Sequence, residues 1–231
     1  MPSASGDARD SVPSDLRADF TAFRHEVLPW LASNAATSTD PERSLDTLTQ
    51  YGLLVHERAA RLSLIAQGDR SVLFTRHVLD SLNLASCLES PPPSLLDIGS
   101  GAGFPGIPLA IVWPGARVTL LESRDRKAGF LEQAVRQLGL RHVRVVCDRL
   151  ERVSQERAID PVACVTVRAV GDLPRVLSLA ERLATPGAWW AYFLGGGAGE
   201  SEARALAPEG RIDTGAFGGR ILRGAFPHPA S

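Results

Sequence analysis

Between residues 94 and 194 short apolar runs alternate with helix-period segments, and this rhythm restricts the architecture more than any other feature of the chain. SLLDI, RVTLLE, VRVVC, ACVTV and WWAYFL each have the length of a strand and are rich in β-branched or aromatic residues. Helical patterns occupy 105–112, 126–139 and 172–184. Apolar strands separated by helices form a parallel sheet covered on both faces, because each crossover helix buries its stripe on the sheet. The expected fold class is therefore α/β. The closing stretch RIDTGAFGGRILRGAF carries two strand-like runs about Gly218-Gly219 and reads as a hairpin on the sheet edge.

The rhythm before PPPS (91–94) is different. Leu16, Phe20, Phe23, Val27 and Leu31 recur at spacings of three and four, the stripe of an amphipathic helix over Asp15 to Leu31. SNAATSTD reads as a loop. Asp40-Pro41 is a helix start, an N-cap followed by proline at the first helical position. Leu45, Leu48, Val55, Ala59 and Leu62 line one face of that second helix, with Gly52 as a weak point. A third helix is expected over about 71–88, with Phe74, Val78, Leu82 and Ala85 inward. The chain thus divides into a disordered tail (1–14), a helical extension (15–90) and a sheet domain (91–231).

The composition excludes several classes. At 231 residues and 44% hydrophobic, the chain suits one ordinary domain with an extension. No apolar run approaches the roughly 20 residues of a membrane span, and MPSASGDARDSVPSD lacks the apolar core of a secretory signal. Cys87, Cys147 and Cys164 have no metal-ligand spacing and read as buried apolar residues in a reducing cytoplasm. The net charge of −1 does not advertise a nucleic-acid binder, but its distribution is uneven. Residues 1–60 hold five Arg against nine acids, a net of −4. Residues 117–152 hold eight Arg and Lys127 against five acids, a net of +4. Such an Arg-rich segment can grip phosphate bidentately or simply form a solvated face.

The chemistry concentrates in LLDIGSGAGFPGIPLA (95–110). A strand ends at Asp97, glycines alternate at Gly99, Gly101 and Gly103, and a helix follows Phe104-Pro105. Ligands of such sheets bind beyond the carboxyl ends of the strands. Glu122 ends the next strand 19 residues past Gly103, where a carboxylate can accept from both hydroxyls of a ribose. Two ligands fit: a nicotinamide or flavin dinucleotide, or S-adenosylmethionine. Gly101, Gly103 and Gly106 satisfy the dinucleotide pattern formally. Asp97 argues against a pyrophosphate at the helix start, and an acid near the turn suits the ammonium and sulfonium of S-adenosylmethionine. The chain also lacks a second domain for a hydride acceptor.

The pattern D-x-G-x-G-x-G looks like motif I of the class I methyltransferases. RHVLDSL (76–82), LLDIGSGAGFPGIPLAIVWP (95–114), VTLLESRDRKAGFLEQAVRQLGL (118–140) and VRAV (167–170) together resemble the ribosomal RNA small subunit methyltransferase G family, also known as the glucose-inhibited division protein B family. The resemblance spans roughly 45–195. It implies a Rossmann-like class I methyltransferase sheet with an N-terminal helical extension, S-adenosylmethionine as cofactor, and methylation of N7 of a guanine in 16S ribosomal RNA. Carried over by position, cofactor contacts fall on Gly99, Phe104, Leu150, Glu151 and Arg168, beside Gly101, Gly103 and Glu122 of the turn and second strand. No metal is implied.

Guanine N7 is a nucleophile with an exposed in-plane lone pair. It loses no proton on methylation, so no general base is required and catalysis can rest on positioning. Arg124, Arg126, Lys127, Arg149 and Arg168 are candidates for RNA phosphates or the guanine edge. His77 and Asp80 are either active-site residues or a pair tying the helical part to the sheet. The chain departs from the family at Arg61-Leu62-Ser63, where Asn-Leu-Thr is usual, and after Leu194, where Gly195-Gly196-Gly197 replaces a Leu-Lys-Gly pattern. The expected partner is 16S ribosomal RNA or the small ribosomal subunit, met by a cytoplasmic monomer away from membranes. A class I methyltransferase with another RNA or small-molecule substrate, and a non-catalytic RNA-binding or ribosome-binding protein of the same fold, are the alternatives.

Overall fold

The computed structural model describes residues 12–34, 40–194, 205 and 209–226. Seven strands, β1 (Ser94–Ile98), β2 (Arg117–Glu122), β3 (Val143–Cys147), β4 (Val162–Arg168), β5 (Ala184–Phe193), β6 (Arg211–Thr214) and β7 (Arg220–Ala225), form one sheet. Their order is β3-β2-β1-β4-β5-β7-β6. Strands β1 to β5 run parallel, and β7 is antiparallel to both β5 and β6. The expected hairpin is present, with β6 outermost. The order reverses beside β1, so the crevice beyond β1 and β4 is the place where an open α/β sheet accommodates a ligand.

Alternation along the strands builds two cores. Leu95, Val118, Leu120, Cys164 and Phe193 face one side; Leu96, Ile98, Leu121, Val165 and Val167 face the other. Helices α4 (Gly106–Val112), α5 (Asp125–Gln137), α6 (Leu150–Glu156) and α7 (Leu173–Glu181) connect the parallel strands. The amino-terminal helices α1 (Arg17–Ser33), α2 (Pro41–Leu62) and α3 (Asp80–Ser86) share the first core with the sheet. All five residues of the predicted first stripe are buried. Asp40 caps α2 by accepting from the Arg43 amide at 3.0 Å. Gly52 has a packing role, since a Cβ there would overlap the Phe74 ring.

The single helix expected over 71–88 is broken in three. A 3-10 segment covers Gln67–Val72, a π-helical turn covers Phe74–Leu79, and only then does α3 begin. Asp19, reaching across from α1, accepts from the amides of Phe74 and Thr75 at 2.6 and 3.1 Å and fixes where the π turn starts. The periodic stripe survives because Phe74, Val78, Leu82 and Ala85 are all buried. Helix α6 had no sequence signal, being seven residues with few apolar positions. The cysteines also correct the expectation: Cys164 is buried, Cys87 is partly buried and Cys147 is exposed. Most of the predicted tail (1–11), most of the SNAATSTD loop (35–39) and Gly195 to Gly197 lie outside the described residues, while Val12 packs in the core.

Candidate active site

The turn leaving β1 is held by its own backbone. The amides of Gly99 and Ser100 both donate to the Leu121 carbonyl, at 2.8 and 3.0 Å, and so tie the turn to β2. Its glycines do two different jobs. Gly99 and Gly101 have φ of 69° and 59°, which L side chains rarely adopt. A Cβ on Gly99 would meet nothing within 4 Å, and one on Gly101 only the Gly99 carbonyl at 3.7 Å. These two border open space. Gly103 and Gly106 border packed protein: a Cβ would stand 2.7 Å from Ile107 in the first case and 2.8 Å from the Asp97 carboxylate in the second.

Asp97 does not face the crevice as expected of an acid serving a cationic ligand. It is 1% exposed. Its Oδ1 accepts from the Thr166 hydroxyl at 2.9 Å, and its Oδ2 accepts from the Gly106 amide at 3.3 Å. It therefore joins β1, β4 and the start of α4. Burial pushes its carboxyl up to about 6 in spite of these hydrogen bonds. Glu122 is buried at the end of β2 and accepts the Gly101 amide on Oε2 and the Arg124 amide on Oε1, both at 2.9 Å. The carboxylate predicted to hold a ribose thus also braces the glycine turn, and each oxygen keeps a lone pair for a further donor.

Phe104 is buried where the turn enters α4. Its ring stacks on His77 (5.2 Å between centroids, 23°) and meets Tyr51 edge-on (5.3 Å, 62°). Tyr51 in α2 donates to the Ala102 carbonyl at 2.8 Å, so the helical part clasps the turn from behind. Leu150 is buried at the first turn of α6, just past β3. Glu151 follows it, half-exposed, and pairs with Arg175 of α7 at 3.1 Å. Read along the sheet, Leu150-Glu151, Glu122, the glycine turn and Arg168 lie beyond the carboxyl ends of β3, β2, β1 and β4 in spatial order.

Arg168 ends β4 and joins the sheet to the π turn. Its Nη2 donates to the Asp80 carboxylate at 3.1 Å and to His77 Nδ1 at 3.3 Å. A guanidinium can only donate, so His77 Nδ1 accepts and the ring proton sits on Nε2, which donates to Asp69 at 3.1 Å. His77 and Asp80 therefore do link helical part and sheet, through Arg168 rather than to each other. Burial, then the Arg168 charge, lowers His77 to about 4, so the imidazole is neutral near pH 7. Burial also raises Asp80, which Arg168 opposes. Arg168 Nη1 is buried without a hydrogen-bond partner. Sequence reasoning missed Asp69, Tyr51 and Asn83; Asn83 Oδ1 accepts from the Phe217 and Gly219 amides at 3.0 and 3.2 Å and pins the β6–β7 turn.

Known proteins resemble the chain in sequence and in fold. The family model for rRNA small subunit methyltransferase G (GidB) matches residues 44–209. A ribosomal RNA small subunit methyltransferase G from Neisseria meningitidis serogroup C is 37% identical over 172 residues, 74% of this chain and 76% of that protein. The protein of that name from Chloroflexus aggregans is 41% identical over 155 residues, 67% of this chain and 59% of that one. Among solved structures, the mitomycin 7-O-methyltransferase MmcR covers 96% of this chain and 75% of its own, with a TM-score of 0.53 at 17% identity. That likeness concerns the fold alone, which is the class I methyltransferase sheet. With the turn, the braced glutamate and Arg168 all inside the matched span, the chain belongs to the rRNA small subunit methyltransferase G family.

Proposed function

We propose that the protein, as a cytoplasmic monomer, methylates N7 of a guanine in 16S ribosomal RNA with S-adenosylmethionine as donor. Family membership across 44–209 is the observation that carries this reading. No helix among the described residues is long and apolar enough to cross a membrane, which accords with a substrate in the aqueous phase.

The residues present fit the donor. The open side of Gly99 and Gly101 is a cradle that any Cβ would begin to fill. Beside it, Glu122 retains acceptor capacity for ribose hydroxyls, and Leu150 and Glu151 stand past β3 where an adenine would lie. Gly103 and Phe104 hold the turn in shape from behind, and Arg168, at the end of β4 beside β1, is the residue assigned to the meeting of donor and acceptor base. Bound S-adenosylmethionine supplies a methyl group on a sulfonium, an electrophile that needs no metal. The protein's own task is to exclude water and fix N7 in line, since effective concentration and orientation alone contribute several kcal/mol. No proton leaves N7, so the neutral His77 serves as a strut for Arg168 and not as a base. Arg124, Arg126 and Arg149 are exposed at the rim of the same end of the sheet, with Lys127 beside them, placed to take RNA phosphates.

The test is methyl transfer from labelled donor to undermethylated small subunits and to naked 16S RNA, with the product base mapped. N7-methylguanine at one position is expected, together with at least a 100-fold loss for Arg168→Ala whose circular dichroism is unchanged. Label on another base, or only on small molecules, overturns the reading.

A further inference from the structure

A cavity of about 880 Å³ opens beside Arg168, bounded by the ends of β4 and β5, the π turn with the start of α3, and the β6–β7 turn. Its volume lies in the range of pockets that enclose small ligands. Asp80, Arg168, Tyr192 and Gly219 are among its walls. The Asp80–Arg168 pair presents a carboxylate acceptor and a guanidinium donor side by side. Arg168 Nη1 is buried without a hydrogen-bond partner, so the guanidinium has donor capacity left for a base towards which the side chain turns. Gly219 lets the β6–β7 turn pack closely against this pair: a Cβ there would overlap Asn83 Nδ2 and stand 2.6 Å from Asp80 Oδ1. Of the rings that line it, Phe217 is packed edge-on against Trp30 (5.4 Å, 74°), His77 is stacked on Phe104 and Phe193 is buried in the core, which leaves the half-buried Tyr192 as the ring for stacking.

We propose that this cavity seats the target guanine, with the Asp80 carboxylate accepting from N1–H and the 2-amino group and Arg168 donating to O6. The inference rests on the guanine-N7 reading above and names the residues that select the base. Guanine presents O6, N1–H and the amino group in sequence, matching a donor followed by an acceptor. Adenine reverses the pattern and sets its N1 lone pair against the carboxylate. Enzymes that modify bases read an extruded base in this way, on its Watson–Crick edge and by stacking. The topology then orients N7. Asp80 lies against Gly219 at the start of β7, and Arg168 lies on β4, next to β1 and the glycine turn. With the amino side of the base at Asp80 and O6 at Arg168, N7 lies beyond O6, on the side of the turn.

Nucleotide binding and turnover test this separately. Guanosine and adenosine monophosphates are titrated by NMR into wild type and Asp80→Asn, with S-adenosylhomocysteine present. At least a tenfold preference for the guanosine nucleotide is expected in wild type and its loss in Asp80→Asn; equal binding in wild type, or a preference that survives the substitution, overturns the proposal. In the transfer assay, Asp80→Asn is expected to lower kcat/KM for small subunits at least 100-fold while changing S-adenosylhomocysteine affinity less than threefold; a kcat/KM within threefold of wild type overturns it. Should wild type transfer nothing to small subunits, the proposed function fails and the nucleotide preference still decides the base seat. Should Asp80→Asn not fold, Tyr192→Leu takes its place, with about tenfold weaker guanosine nucleotide binding expected and unchanged binding counting against the seat.

Discussion

The two ends of the sheet both carry arginines and both carry cavities, yet they are built differently. Beyond the carboxyl ends, Asp69, His77, Asp80 and Arg168 are half-buried and locked into one chain of hydrogen bonds around a cavity of about 880 Å³. At the amino ends, a cavity of about 610 Å³ is lined by Arg144, Arg157, Asp160, Glu181 and Arg182, all exposed. Exposed charges are screened and mobile, and their pairings contribute little. Half-buried, mutually fixed charges are preorganised, which is what positioning a reactive base requires. Fixed partners and not cavity volume distinguish a site.

The sharpest way to break this comparison uses two glycines of one turn. Gly99→Ala puts a methyl group into open space at a φ of 69°. It is expected to weaken S-adenosylmethionine at least tenfold by calorimetry, at a cost of about 1–2 kcal/mol in stability. Gly103→Ala drives its methyl group against Ile107 and the Tyr51 hydroxyl at a φ of 103°. About 2–4 kcal/mol of stability should be lost in urea melts. Equal effects on stability and affinity in the two variants would remove the division of labour.

A smaller effect concerns pH. His77 falls from 6.5 to about 4, so the folded state resists a proton that the unfolded chain takes up, and stability drops as pH falls from 6.5 towards 4. Asp97 rises from 3.8 to about 6, so the folded state holds a proton more tightly and stability grows as pH falls from 6 towards 3.8. The two oppose each other and flatten the wild-type profile. His77→Gln removes the first, so the variant should gain about 2 kcal/mol relative to wild type between pH 7 and pH 5. Parallel profiles in urea melts would show that the Asp69–His77–Arg168 chain is not held as described.

The smallest effect belongs to the amino ends. Arg157→Ala and Arg182→Ala are expected to leave methyl transfer within threefold of wild type. A tenfold loss would make that Arg-rich cavity a second contact for RNA and erase the contrast.

What the sequence disclosed follows from range. The strand-and-helix rhythm and the β1 turn were legible because the periods of strand and helix and the placement of glycine are local matters. Glu122 could be placed because it ends the next strand, only 21 residues from the Gly101 amide that it accepts. The motif RHVLDS drew attention to His77 and Asp80, but not to their joint grip on Arg168, 91 residues beyond His77. Tyr51 and Asn83 carried no signal at all, since the partners they hold lie 51 and 134 residues away.

The net positive stretch over 117–152 shows the same division. Sequence alone established that eight arginines gather there. Tertiary structure decided that they serve opposite ends: Arg117, Arg141 and Arg144 lie by the cavities at the start of the strands, and Arg124 and Arg149 lie past the carboxyl ends of β2 and β3. Composition counts charge, whereas a crossover connection carries the chain from one end of the sheet to the other between neighbouring residues of the same sign. Which charges act together is therefore fixed only when the strands are laid side by side.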